Sequence, residues 1–183
     1  MPYYVYRPDA NNFAGIGFSL ADSERVVQVH FTDMPLVDNW AMPVAHGFDD
    51  NPEAEGDFPS LSNFNEIPVM SQRAWEALYP LIGGYCEALQ IAYPTGKPYF
   101  IIHVTETIDG LDSAKSEVSR NATTGRVNRI LRYVFRHEML HGRHIFKLPR
   151  ESGAELIVDD DFRRAVEGNG LKGLQFKQLT EAQ

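Results

Sequence analysis

LQIAYPTGKPYFIIHVTET, residues 89–107, decides the fold. Leu89 to Tyr93 and Pro98 to Thr107 are apolar, β-prone runs, and Pro94-Thr95-Gly96-Lys97 between them has turn composition. The pair reads as two strands joined by a tight turn. Thr95-Gly96-Lys97 is not a phosphate loop, because the glycine spacing is missing and no helix follows.

Working outward toward the N-terminus, Ile67-Pro68-Val69-Met70 is short and extended, and Ser71 can cap a helix. Trp75, Leu78, Tyr79, Ile82 and Tyr85 follow at helical spacing, a stripe that belongs to a core. Pro80 kinks this helix or begins a second turn, and Gly83-Gly84 ends it. Tyr3 to Tyr6 reads as a strand stopped by Pro8. Arg25 to Phe31 reads as a period-two strand, with Val27, Val29 and Phe31 on one face. Asn39 to Phe48 contains Pro43 and is an edge strand at best.

On the C-terminal side, Ile108 to Val118 is polar and suits a short helical turn, and Asn121 to Gly125 is a loop. Arg126 to Phe135 is apolar with ambiguous period. His144 to Leu148 and Glu155 to Val158 read as strands. Asp159 or Asp160 caps a short helix bearing Phe162, Ala165 and Val166, which Asn169-Gly170 ends. Leu174, Phe176 and Leu179 suit a last strand. The expected class is α+β, with mainly antiparallel sheet and about three short helices in a single domain over residues 1–183.

The composition bounds the function. A chain of 183 residues with 43% apolar residues buries a sizeable core without help from metals or disulfides. Cys86 is the only cysteine, which excludes an internal disulfide and suits a reducing compartment. The opening MPYYVYRP has no basic region or long apolar run, and no stretch approaches a membrane span, so a cytoplasmic address is expected. The net charge of −8 argues against nucleic acid as a partner and favours a basic protein. Residues 49–57, DDNPEAEGD, carry five acids and no base. Asp49, Asp50, Glu53, Glu55 and Asp57 are therefore the candidate partner-binding residues, since negative charge steers a basic partner.

The sharpest chemical motif is His137-Glu138-Met139-Leu140-His141, which fits H-E-x-x-H. On a helix, His137 and His141 would share a face and could hold zinc, with Glu138 polarising a bound water. Val127, Ile130, Leu131 and Val134 would be the buried stripe of that helix. A third ligand is wanting: the longer motif needs Gly at 144 and His at 147, where this chain has His144 and Lys147. Glu151 and Glu155 lie close behind among Pro149 and Gly153, and Gly142-Arg143 interrupts the helix. A zinc hydrolase is the alternative reading on these residues.

Other residues carry less. Gly15-Ile16-Gly17 lacks a third glycine, and Ser60, Ser62 and Ser71 lack an elbow motif. Cys86 reads as a small core residue, and His30, His46 and His103 read as structural. Asp109, Asp112 and Glu117 are explained by turn capping.

A resemblance adds to this. Pro68-Val69-Met70-Ser71 with Ala74 and Leu78, Tyr99 to Thr105, Leu111-Asp112 with Lys115-Ser116-Glu117, Ile130 to Arg136, His144 to Pro149, Glu155 to Val158, Asp161-Phe162 and Gly170 to Phe176 follow one another in a characteristic order. In these stretches, over most of 58–179, the chain resembles a large bacterial immunity-protein family of polymorphic toxin systems, first catalogued as a domain of unknown function. Residues 1–57 match it only loosely. The resemblance implies a protein that binds and blocks a cognate toxin in the producing cell, with no cofactor and no catalytic residues. It also implies that Glu138, Leu140, Gly142 and Phe146 follow the family pattern while His137 and His141 are local variation. Residues 137–141 are then expected to form a turn between strands or a single helical turn.

Overall fold

The computed structural model describes residues 2–48, 50–62, 64, 66–125, 127–149 and 155–179. In chain order these form β1 (Tyr3–Val5), β2 (Gly17–Phe18), α1 (Leu20–Phe31), β3 (Ala45–His46), β4 (Val69–Ser71), α2 (Gln72–Ile82), β5 (Cys86–Ile91) and β6 (Tyr99–Val104). β7 (Glu117–Arg120), β8 (Val127–Arg132), β9 (Ile145–Lys147), β10 (Leu156–Asp159) and α3 (Asp160–Gly168) follow, with 3-10 turns at Val37–Asn39 and His137–Met139. The class is α+β, and every strand ladder is antiparallel.

The hairpin at 89–107 is the centre of one sheet. β6 lies between β4 and β5, with Val69 opposite Ile101 and Leu89 opposite the same residue on the other side. A second sheet has the order β1-β10-β9. Strand side chains alternate faces, so each sheet feeds two cores. Met70, Ile102 and Val104 join Tyr4, Ile145, Leu156 and Val158 in a core between the two sheets. Val69, Leu89, Ile91 and Ile101 face the other way, onto α1 residues Val26 and Val29. Tyr3, Phe146 and Ile157 look outward from the second sheet to Leu111, Phe135 and Leu140. Burying each such side chain stabilises the fold by roughly 1.5–3 kcal/mol.

The helices close the central core. The Ser71 hydroxyl accepts the Ala74 amide at 3.1 Å and starts α2, whose Ala74, Leu78 and Ile82 are buried one turn apart. The helix runs through Pro80, which is on its exposed side, and the Gly83 amide caps its end by donating to the Tyr79 carbonyl. Asp159 caps α3 by accepting the Phe162 amide at 2.9 Å. Asn169 and the left-handed Gly170 end α3, after which the Leu171 amide bonds back to Val166.

Three expectations change. Arg25 to Phe31 is the second half of helix α1, not a strand. Ser19 caps it by accepting the Asp22 amide, and Val26, Val29 and His30 are buried at helical spacing while Phe31 is exposed. The seven-residue run fits both periods, and the cap decides between them. Residues 117–120 are a strand rather than the end of a helical turn, because β8 supplies a pairing partner. Leu174 and Gln178 make only isolated bridges, to Pro8 and Tyr4, so no last strand forms. Among the described residues, no helix is long and apolar enough to cross a membrane.

Candidate partner-binding site

The acidic stretch does not act as one unit. Asp49 lies outside the described residues. Asp57 is woven into the fold: its carboxylate accepts the Ser71 hydroxyl at 2.7 Å, the Lys172 amide at 2.9 Å and the Arg73 guanidinium at 3.2 Å. Its backbone amide donates to the Lys172 carbonyl, and its carbonyl accepts the Ser71 amide. Asp57 thereby orients the hydroxyl that caps α2 and ties three distant segments together. Glu55 pairs with Lys97 of the hairpin turn. Asp50 and Glu53, in contrast, are exposed. Between them Asn51 pins the loop, exchanging hydrogen bonds of 2.8 and 3.1 Å with the Gly15 carbonyl and amide.

Exposed apolar side chains stand at the end of the β2–β3 ladder away from this loop. Phe18 faces Ala45 across the β2–β3 ladder, which puts Leu20 and Val44 at one end of it. Asn51 and Gly15 lie beyond the other end. Leu20 is 80% exposed and Val44 65%, and Met42, two residues before Val44, is also exposed. Apolar residues rimmed by charge are the usual make-up of a protein contact. Sequence reading passes over Met42 and Val44 because residues 39–48 carry no periodic pattern that would mark them as misplaced.

His137-Glu138-Met139 forms a single 3-10 turn rather than an α-helix. With three residues per turn, positions four apart do not share a face, so the geometry H-E-x-x-H requires is missing. Upstream, Val127 to Arg132 is a strand, and Ile130 is buried while Leu131 is exposed, so no helical stripe exists. His137 stacks on Tyr3 at 5.8 Å. Leu140 is buried against Gly110, where a Cβ would stand 2.5 Å from a Leu140 methyl. Gly142 has φ +74° and turns the chain into β9. Arg143 then pairs with Glu106 and lies over the Tyr85 ring at 5.1 Å. The segment is a packed corner.

Among the described residues, His144, Asp159 and Asp161 are the one group whose ligand atoms lie within 4.8 Å of one another. Each already serves the fold. His144 Nδ1 is 2.9 Å from Asp159 Oδ2, the other Asp159 oxygen caps α3, and Asp161 faces Arg164 at 3.4 Å. The N-terminus of α3 favours the carboxylates and disfavours a cation. Cys86 is buried, and that burial pushes its thiol well up, so it is a core residue and not a nucleophile.

One polar joint has no motif in the sequence. His103 is fully buried, with Nδ1 2.8 Å from Glu87 and Nε2 3.0 Å from the Thr32 carbonyl at the end of α1. Buried Lys147 donates to the same carbonyl at 2.7 Å and pairs with Asp33 at 2.9 Å. Partial burial raises the Glu87 carboxyl, but hydrogen bonds from the Leu36 amide and His103 outweigh this and hold it below its usual range. Donors at a helix C-terminus satisfy its last carbonyls, so this joint fastens α1 to β5, β6 and β9.

Residues 88–181, about half the chain, match the model of the immunity protein family Imm11. The chain belongs to the Imm11 family. The matched segment contains β6 to β10, α3 and the 137–141 corner, and it begins thirty residues later than the start near 58 that the sequence motifs suggest. The acidic loop and the Leu20–Val44 surface lie outside the Imm11 match. No curated protein matches the chain.

Proposed function

We propose that this protein is the immunity partner of a toxin and neutralises it by binding, in the cytoplasm of the bacterium that makes both. The observation that carries this reading is membership of Imm11. The chain acts as one domain: Tyr4, Tyr6 and Phe58 from the N-terminal third share a core with Ile102, Val158 and Phe162 of the matched segment. Its action is occlusion of the toxin and not catalysis, which fits a H-E-x-x-H segment used as a packed corner.

The toxin contact spans the free half of the acidic loop and the exposed apolar residues at the other end of the β2–β3 ladder. Asp50 and Glu53 steer a basic toxin domain, and Leu20, Met42 and Val44 supply the desolvated centre. Glu55 and Asp57 of the same stretch hold the loop in place. The test is growth of cells co-expressing this chain with the toxin encoded beside it. Wild type and the His137→Ala/Glu138→Ala variant protect equally, while Asp50→Lys/Glu53→Lys protects less. A lack of protection by wild type, or its loss on Glu138→Ala alone, would refute this reading.

A further inference from the structure

The chain is acidic, yet one part of it has the opposite sign. Residues 115–136 contain six of the 17 basic residues, Lys115, Arg120, Arg126, Arg129, Arg132 and Arg136, and a single acid, Glu117. They span the β7–β8 hairpin, a two-stranded ribbon with most described side chains exposed. At the foot of β8 is a hollow of about 290 Å³. Arg129 reaches it from β8, Arg7 from the segment after β1, and Lys177 from the C-terminal segment. None of these three forms an ion pair among the described residues.

One carboxylate, Glu155, stands against the three cations. It accepts a hydrogen bond from Tyr133, and burial raises its carboxyl despite that bond and the nearby Arg129. It is one carboxylate against three cations. The rest of the lining is largely apolar, with Val5, Ile130 and Leu179 and the exposed Leu131. Three cations brought from separate segments to one partly apolar hollow oppose the net charge of the chain and repel one another. An acidic ligand relieves that repulsion.

We propose that this hollow receives an acidic segment of the protein partner, carrying an apolar side chain between its carboxylates. The proposal rests on the reading that the chain works by binding a protein, and it adds a second contact of opposite sign to the acidic loop. A partner touching both has a basic and an acidic patch.

The test uses the full chain and a labelled peptide, Glu-Glu-Leu-Glu-Glu, followed by fluorescence anisotropy at low salt. Saturable binding is expected, weakened about tenfold by Arg129→Gln/Lys177→Gln, kept by Arg129→Lys, and unchanged by Arg25→Gln on α1. All substituted side chains are exposed, and thermal melting confirms folding. No binding by wild type, or equal binding by the double variant, overturns the proposal. So does equally tight binding of hexathymidylate, which would make the hollow a general polyanion or nucleic-acid site. Peptide binding is read without any toxin, so its failure is separate from failure to protect cells.

Discussion

The two halves of the acidic stretch differ in what surrounds them. Asp57 accepts three hydrogen bonds through its carboxylate and ties the loop to α2 and the segment after α3. Asp50 and Glu53, only a few residues earlier, face solvent. Composition ranks all of them alike, but partners divide them into a hinge that holds the fold and a pair of charges free to meet another molecule. The same division runs through the molecule. Glu87, Asp159 and Asp160 are bound into joints, whereas the basic β7–β8 hairpin and the free half of the loop project charge outward.

The largest effect is expected at the α1 joint. Glu87→Ala leaves buried His103 and the Leu36 amide without their acceptor, and should destabilise by about 3 kcal/mol in denaturant unfolding. A loss below about 1 kcal/mol would mean that the joint is incidental. Asp57→Ala comes next, at about 2 kcal/mol, because it removes charged hydrogen bonds and the support of the α2 cap. If Asp57→Ala proves as harmless as Asp50→Ala, the contrast within the loop collapses.

Asp160 sharpens the comparison through pH. Arg164 and Arg163 hold its carboxyl down at about 2, against burial that raises it. A carboxyl depressed in the folded state adds stability above its unfolded pKa of about 3.9, and that stability is lost as pH falls through the folded value. Wild type should therefore lose melting temperature between about pH 4 and 2 more steeply than Asp160→Asn. Parallel curves would remove Asp160 from the set of bound carboxylates. Smallest in stability is Asp50→Lys/Glu53→Lys, expected within about 0.5 kcal/mol of wild type. Its effect belongs to association, with a toxin on-rate slowed about tenfold at low salt and less at high salt.

How much of this was legible depended on how local each cause was. The 89–107 hairpin, the Ser71 cap of α2 and the Asp159 cap of α3 rest on neighbours within a few residues; the chain shows the hairpin with its first strand placed three residues late, names Ser71, and narrows the α3 cap to Asp159 or Asp160. β7 is a polar strand whose only reason for being extended is β8, so no pattern within 117–120 announces it. Arg25 to Phe31 misleads because its window is short, although Ser19 carried the missing signal. The site is harder still. Asp57 finds Lys172 across 115 residues and Thr32 meets His103 across 71, and nothing in composition marks such pairs. The single turn at His137–Met139 follows from the family resemblance, and not from the histidine spacing, which points to a helix.

The most direct measurement of the central claim is calorimetric titration of this protein with the purified toxin domain encoded beside it, for wild type and Asp50→Lys/Glu53→Lys. The account predicts a saturable complex with wild type and clearly weaker binding by the double variant at unchanged fold stability. No heat and no complex with wild type would contradict it.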